Sequence, residues 1–513
     1  MNNEMLCRLK PYLEKKEELR KWDYSKQHAK GRLSAPERVN LLFDHGSFVE
    51  IGALAKQNQH TRGIKPEPTP RDGIVVGYGK VDGRIVGVAA YDNTVKGGSM
   101  GFVGEWKFTR MKRMAAEQGF PVVILCDGAG ARLEEEISSE AGYDNPQFAN
   151  LCALSGQVPI VVAVMGDCYG GHANLTALGN FVPMTKNSTM GLVGPRLLKS
   201  KLSIDITKEE LGGYKIHCEK SGMADLAVEN DPQCIDVIKE FLSYLPSNCD
   251  EEPPRIDCKD DPNRCEEELL NIVPTNTRRA YDMKKLIRYI VDNGDFFELK
   301  PTFAMNIITC LARMNGRTVG IIASQPNSMA GTIDVNACQK ASGFINFCDA
   351  FGIALIFIQD VPGFYPGPKS ELDGIIRWST RLLFELAHSS VPKVTLLVRK
   401  AYGLAHYGMC NLGFRPNLIV TWPTGEFSAI DPEDAVNIMF DKELDKQENN
   451  EEKRQTLIDD FKKKTTMEPA LEASFIDDVI DPRQTRPTII RALDMAKKRK
   501  KVLNQKKRPI IPI

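Results

Sequence analysis

Val81-Asp82-Gly83-Arg84-Ile85-Val86-Gly87-Val88 and Met314-Asn315-Gly316-Arg317-Thr318-Val319-Gly320-Ile321 are two versions of one segment. Each reads as a strand, a two-residue turn and a second strand, with Asp-Gly or Asn-Gly supplying the positive φ of a tight hairpin. The shift from Val81 to Met314 is 233 residues. The same shift carries Gly119–Asp127 (GFPVVILCD) onto Gly352–Asp360 (GIALIFIQD), Val158-Pro159 onto Val391-Pro392, and Tyr169-Gly170 onto Tyr402-Gly403. Upstream, FDHGSFVEIG (Phe43–Gly52) matches VDNGDFFELK (Val291–Lys300) at a slightly larger shift. An offset held over so long a stretch implies one domain, duplicated.

Within each copy, short β-branched runs such as PVVILCD (Pro121–Asp127) and PIVVAVMGD (Pro159–Asp167) suit a sheet covered on both faces. Each run leads into a glycine-rich loop and then a helix-like stretch, which predicts an α/β architecture. Residues 246–276, rich in Pro, Asp, Glu and Asn and without apolar periodicity, read as a linker. The expected domains are therefore 1–245 and 277–513. Ser34-Ala35-Pro36-Glu37 predicts a capping box at a helix start. Gly128-Ala129-Gly130 follows a strand, but Leu133 stands where a dinucleotide fingerprint needs its third glycine. No phosphate-binding G-x-x-x-x-G-K-[ST] loop occurs either, so ATP chemistry is not expected of this chain.

Lys plus Arg and Asp plus Glu number 67 each over 513 residues, and a neutral total argues against a nucleic-acid binder. The basic runs Lys497–Lys501 and Lys506–Arg508 read as a solvated helix end. No apolar run approaches the ~18 residues of a membrane span, and the charged start has no signal-peptide core. Thirteen cysteines occur as singletons without CxxC spacing. That usage predicts free thiols in a reducing, cytoplasmic setting, with neither a zinc site nor a disulfide framework.

Four glycine loops stand out: Gly97–Gly101, Gly128–Arg132, Tyr169–His172 and Tyr402–Ala405. Glycines permit tight turns, and at a strand end they also let backbone N–H groups point into open space. At a helix start such groups stabilise developing negative charge. Because the repeat pairs the third loop with the fourth, two such sites are expected. Side-chain chemistry is sparse, with no G-x-S-x-G elbow and no H-E-x-x-H. Of seven histidines only His172, in the third loop, and His406, directly after the fourth, lie at these loops, where each can serve as a base or as a packing and hydrogen-bonding group. Two amide holes and few reactive side chains point to enolate chemistry on a thioester, with the hard step left to a cofactor.

The run DVPGFYPGPKSELDGIIRWSTRLLFELAHSSVPKVTLLVRKAYG (Asp360–Gly403) resembles the carboxyltransferase β subunits of biotin-dependent acyl-CoA carboxylases, of the propionyl-CoA carboxylase type. QPNSMAGTIDVNACQKASGFINFCDAFG (Gln325–Gly352), KGGSMG (Lys96–Gly101), DGAGAR (Asp127–Arg132) and QHAKGRLSAPERV (Gln27–Val39) are similar to motifs of that family, in order along almost the whole chain. The resemblance implies two crotonase-like (ClpP/crotonase) domains built from ββα units. It implies a hexamer, a trimer of dimers, whose active sites lie between the first half of one subunit and the second half of its dimer partner. Carboxybiotin on a biotin carboxyl carrier subunit, loaded by a biotin carboxylase, would donate carboxylate to the α-carbon of an acyl-CoA.

Carried over position by position, the resemblance places the enolate-stabilising amides on Gly170 and Gly171 of the acyl-CoA side. It places the biotin-side pair on Leu404 and Ala405, beside Gly403. Gly130 and Ala131 would line the coenzyme A cleft, and Arg132 would meet a CoA phosphate. The chain departs from the family at His172, Leu404, His406, Tyr407 and Asp431-Pro432, the last near the expected biotin side, which makes His172, His406 and Tyr407 the expected determinants of the acyl group. Tyr407, larger than the family's usual Asp, implies a short or polar acyl-CoA. A decarboxylase running the transfer in reverse uses the same amides, and a non-catalytic scaffold is the alternative of another class. Since the chain has neither a Met-Lys-Met biotinylation motif nor an ATP site, the purified protein should be blank on a streptavidin blot and carboxylate nothing with ATP alone. A biotinylated band at its mass would contradict this reading.

Overall fold

Asp82 and Gly83 both have positive φ (49° and 79°), as do Asn315 and Gly316 (51° and 73°), so the two copies of the repeated segment close through the same mirror-image turn. In the first copy the Asp44 carboxylate accepts from the N–H groups of Asp82 (3.1 Å) and Gly83 (2.9 Å). In the second, Asp292 accepts from Asn315 (2.9 Å) and Gly316 (2.7 Å). The upstream motif of each half thus supplies an aspartate that locks its own hairpin.

The computed structural model describes residues 2–57, 67–136, 147–274, 276, 279–444 and 450–496. The basic runs Lys497–Lys501 and Lys506–Arg508 lie outside them. The chain divides into two units, Met1–Glu251 and Glu252–Ile513. The first contains strands Val49–Glu50 (β1), Ile74–Val81 (β2), Arg84–Tyr91 (β3), Val122–Gly128 (β4), Ile160–Tyr169 (β5), Pro183–Thr185 (β6), Thr189–Gly191 (β7) and Leu226–Val228 (β8). They form one sheet in the order β1-β2-β3-β4-β5-β6-β8, with β7 alongside β5. Strands β1 to β3 pair antiparallel, and the rest, from β3 to β8, pair parallel.

The second unit repeats the plan with Phe296–Leu299 (β9), Ile307–Met314 (β10), Arg317–Ser324 (β11), Ala354–Val361 (β12), Lys393–Tyr402 (β13), Leu418–Thr421 (β14), Glu426–Ser428 (β15) and Asp478–Val479 (β16). Here β15 lies alongside β13. The duplication holds to the residue. Gly87 pairs with Val122 and Gly320 with Leu355, while Val122 pairs with Ile160 and Leu355 with Lys393. A register shift falls between Cys126 and Gly128 in one sheet and between Gln359 and Val361 in the other. Every residue of β4 and of β12 is buried, as parallel strands covered on both faces must be. On the covering helices Phe102–Gln118 and Val335–Ala350, Lys107 and Lys340 are both buried and donate to Ile74 O (2.7 Å) and Ile307 O (2.8 Å).

The predicted capping box forms: Ser34 Oγ accepts from Glu37 N–H (3.4 Å), and the Glu37 carboxylate accepts from Ser34 N–H (2.7 Å). Within the acidic stretch after Glu251, Arg264 donates to Tyr289 O (2.6 Å) and Val291 O (2.8 Å), and Leu269 is buried in the second core.

The register shift places an aspartate, Asp127, wholly inside the first unit. Arg38, itself buried, reaches Asp127 (3.1 Å), Asp231 (2.7 Å) and Met165 O (2.9 Å). Burial pushes the Asp127 carboxyl upward, against the pull of Arg38 and Arg32. Replacing Arg38 with Leu leaves Asp231 without an ion-pair partner among the described residues and Asp127 with Arg32 (3.9 Å) alone, and should destabilise the unit by ~3–5 kcal/mol. A urea midpoint close to wild type would show that Arg38 does not hold the strand end.

Candidate functional site

β5 ends at Tyr169 and the Gly171–Thr176 helix follows at once, so a single residue turns the chain. Gly170 does so at φ 62° and ψ −129°, a region in which an L side chain is strained. A Cβ on Gly130 would lie 2.9 Å from Tyr169 O and 3.6 Å from Gly170 Cα. The Gly128–Arg132 loop therefore meets the strand end backbone to backbone. Met100 N–H donates to Gly130 O (2.8 Å) and Arg132 N–H to Met100 O (3.0 Å), which ties the loop to the Gly97–Gly101 turn.

The amides sort themselves by what β7 consumes. Gly170 N–H donates to Gly191 O (3.2 Å) at the end of the β5–β7 pairing. Gly171 and His172 N–H, in the first helical turn, have no acceptor among the described residues, nor has Ala131 N–H. The open pair is thus Gly171/His172, not Gly170/Gly171: Gly170 provides the turn, and its own N–H is spent.

In the second unit Gly403 opens the Gly403–Gly408 helix at φ 61°. Leu404 is not among the positive-φ residues, so the conformation requires no glycine there. Leu404 and Ala405 N–H likewise have no acceptor among the described residues. The shift of 233 carries Gly171/His172 onto Leu404/Ala405, so the corrected first pair and the second are equivalent positions. The preceding tyrosines are equivalent too. Tyr169 OH shares a hydrogen bond with Thr189 on β7 (3.1 Å), and Tyr402 OH donates to Glu426 on β15 (2.5 Å).

Three expectations for side chains change. Arg132 is 2% exposed; its guanidinium is held by Asp72 and Glu135 and donates to Ser99 O (3.1 Å). It braces two loops and presents nothing to a phosphate in solution. His172 is fully buried, and its Nδ1 accepts from Gly130 N–H (3.0 Å), so it offers no donor to an open acyl pocket. His406 is buried as well, with Nδ1 bonded to Gln359 Oε1 (2.9 Å). Of the three expected specificity residues only Tyr407, 44% exposed, has an accessible side chain. Leu404 beside it is 52% exposed. Sequence reasoning missed the apolar neighbours of the first pair: a Cβ on Gly171 would lie 2.6 Å from Met100 Cε and 3.7 Å from Phe148 Cζ. Met100 sits in a loop already singled out, whereas nothing in the local pattern marks Phe148.

A carboxyl transferase domain family matches residues 26–511. The chain belongs to that family. It is 42% identical over 95% of its length to a methylmalonyl-CoA decarboxylase subunit alpha of Veillonella parvula, covering 94% of that protein. It is 39% identical to the mitochondrial propionyl-CoA carboxylase beta chain of Homo sapiens, over 95% of this chain and 89% of that one. The crystal structure of transcarboxylase 12S, a hexamer with methylmalonyl-coenzyme A bound, superposes with a TM-score of 0.94 at 36% identity, over 99% of each chain. The chain is an enzyme of the biotin-dependent carboxyltransferase family, whose members use CoA thioesters and biotin-carrying partners. Its two similar sheet domains are consistent with duplicated crotonase-like units. Among the described residues no helix is long and apolar enough to cross a membrane.

Burial pushes the His172 imidazole down to about 3 and His406 down to about 4. The unfolded chain, whose histidines titrate near 6.5, takes up protons first as pH falls. Stability present above pH 6.5 is therefore lost below it, at about 1.4 kcal/mol per pH unit per histidine until the folded value is reached. Urea midpoints should drop between pH 6.5 and 5, and His172→Phe should flatten that slope. An unchanged slope would mean that His172 accepts a proton in the folded state.

Proposed function

We propose that this chain is the carboxyltransferase subunit of a biotin-dependent acyl-CoA carboxylase, placing carboxylate on the α-carbon of a short acyl-CoA. The observation that carries the reading is the pair of equivalent open amides, Gly171/His172 and Leu404/Ala405, each at a glycine turn at the end of a buried central strand. At the first pair, the amides would donate to a thioester oxygen and stabilise the enolate as the α-carbon becomes nucleophilic. Met100 and Phe148 border this pair with apolar surface, which suits a short alkyl group. The second pair would donate to the ureido oxygen of biotin, which when bound supplies the carboxylate. Neither histidine is placed as a general base, since each is buried with Nδ1 engaged.

The amides act alike in either direction, so direction is set by the partner that loads or unloads the biotin. The decarboxylase reading is favoured by the 42% and 39% identities to methylmalonyl-CoA decarboxylase subunits of Veillonella parvula and Propionigenium modestum. The scaffold reading rested on the altered second loop, and the retained backbone there weakens it. A biotin carboxylase and a biotin carboxyl carrier subunit are the proposed partners. The proposed assembly is a homo-hexamer in which the two amide pairs meet across a dimer interface; exposed Leu372, Ile376 and Leu404 give it apolar surface. All thirteen cysteines are free, which supports a reducing, cytoplasmic setting.

Incubated with a biotinylated carrier and carboxyl-labelled methylmalonyl-CoA, without ATP, the protein should move label to the carrier. Gly171→Pro deletes one donor at a helix position that tolerates proline, and should slow transfer by roughly 10²–10³-fold. Wild-type transfer by a folded Gly171→Pro protein would remove this amide from the mechanism. Co-purification with an ATP-dependent biotin carboxylase supports carboxylation, and co-purification with a membrane component instead would overturn it.

A further inference from the structure

We infer that the His172 side chain is a positioning residue: it fixes the Gly128–Arg132 loop against the start of the Gly171–Thr176 helix and so sets the geometry of the first amide pair. The inference rests on the carboxyltransfer reading above and adds a residue to it. Its basis is a buried hydrogen bond whose direction is unambiguous. Gly130 N–H can only donate, so Nδ1 of His172, 3.0 Å away, accepts, and the imidazole proton resides on Nε2. Nε2 is buried without a hydrogen-bond partner among the described residues. The ring stands at 90° to Tyr91 with 4.1 Å between centroids, and Tyr91 OH donates to Glu105 Oε1 (2.9 Å), so the imidazole is braced from behind.

The space for the ring is built into β4. A Cβ on Gly128 would lie 2.7 Å from His172 Cε1, so a side chain at that strand end would displace the imidazole. The Gly130–Ala131 peptide is then held at both neighbouring points: Gly130 N–H by His172 and Gly130 O by Met100 N–H (2.8 Å). Its own N–H, on Ala131, faces away from the bonded carbonyl. In the second unit the equivalent of His172 is Ala405, and the buried histidine is the next residue, which bonds a strand side chain instead of a loop amide. His406 bonds Gln359 on β12, and Gln359 Nε2 returns to Met409 O (2.5 Å). Each helix thus carries one buried histidine in its first turn, tied to the adjacent strand or its exit loop. A filler of cavity space needs no such bond.

His172→Leu keeps most of the volume and removes the acceptor, whereas His172→Asn restores an acceptor near the position of Nδ1. In His172→Leu, kcat for transfer from methylmalonyl-CoA to a biotinylated carrier should fall about 10–100-fold with KM for the thioester within threefold, the signature of lost orientation rather than lost binding. Hydrogen–deuterium exchange of the peptide containing Gly130 should quicken in His172→Leu. His172→Asn should recover slow exchange and most of kcat. Full activity of His172→Leu, or an Asn variant no better than Leu, would overturn the inference. The exchange measurement needs no substrate. Faster exchange in the Leu variant of a protein that never transfers label would therefore count against the functional reading and not against the role of the histidine.

Discussion

A charge buried at the end of a strand has to be matched from the protein itself, and both units are organised around that requirement. Asp127 and Asp360 occupy the same position of β4 and β12, at the register shift where each strand leaves regular pairing. Arg38 meets the first, and Arg399 (2.9 Å) meets the second. The main chain there is equally confined. A Cβ on Gly98 would strike Asp127 O at 2.2 Å, and one on Gly331 would strike Asp360 O at 2.6 Å. Charge pairing from one side and a glycine turn from the other hold the strand end where the next loop must begin.

From this anchor the open amides follow by geometry. The strand end fixes the loop Gly128–Arg132, the loop meets Gly170, and the helix after Gly170 starts with N–H groups that no carbonyl of the described residues reaches. Such donors are preorganised before any substrate arrives, which is the condition under which hydrogen bonds to a developing oxyanion are worth most. The histidines in the first turns of the two helices, His172 and His406, are kept neutral by burial.

What was legible in the sequence was local or periodic. Asp-Gly and Asn-Gly specify their turns within four residues, the Ser34–Glu37 box specifies a helix start, and the constant shift specifies the duplication. What was illegible depended on partners far along the chain. Gly170 looked like a donor because nothing in Tyr169-Gly170-Gly171 reveals that Gly191, on a strand of three residues, accepts its N–H. Arg132 looked like a phosphate anchor because Asp72, which encloses it, lies sixty residues upstream. His172 looked like a pocket residue for the same reason. Its partner Gly130 and its neighbour Tyr91 belong to other turns of the chain.

The self-contained sheets have a consequence for synthesis on the ribosome. Every strand of the first sheet lies before Glu251, and its hairpin lock, Asp44, precedes the turn it caps. At the usual elongation rate of ~5–20 residues per second, the first unit has roughly ten seconds or more to close before the last strand of the second is made. A nascent chain with near-identical registers in two sheets runs the risk of pairing a strand of one copy with the neighbour of the other. Completing one copy early removes its strands from that competition, so vectorial translation protects a duplicated fold that refolding from denaturant would expose to mispairing.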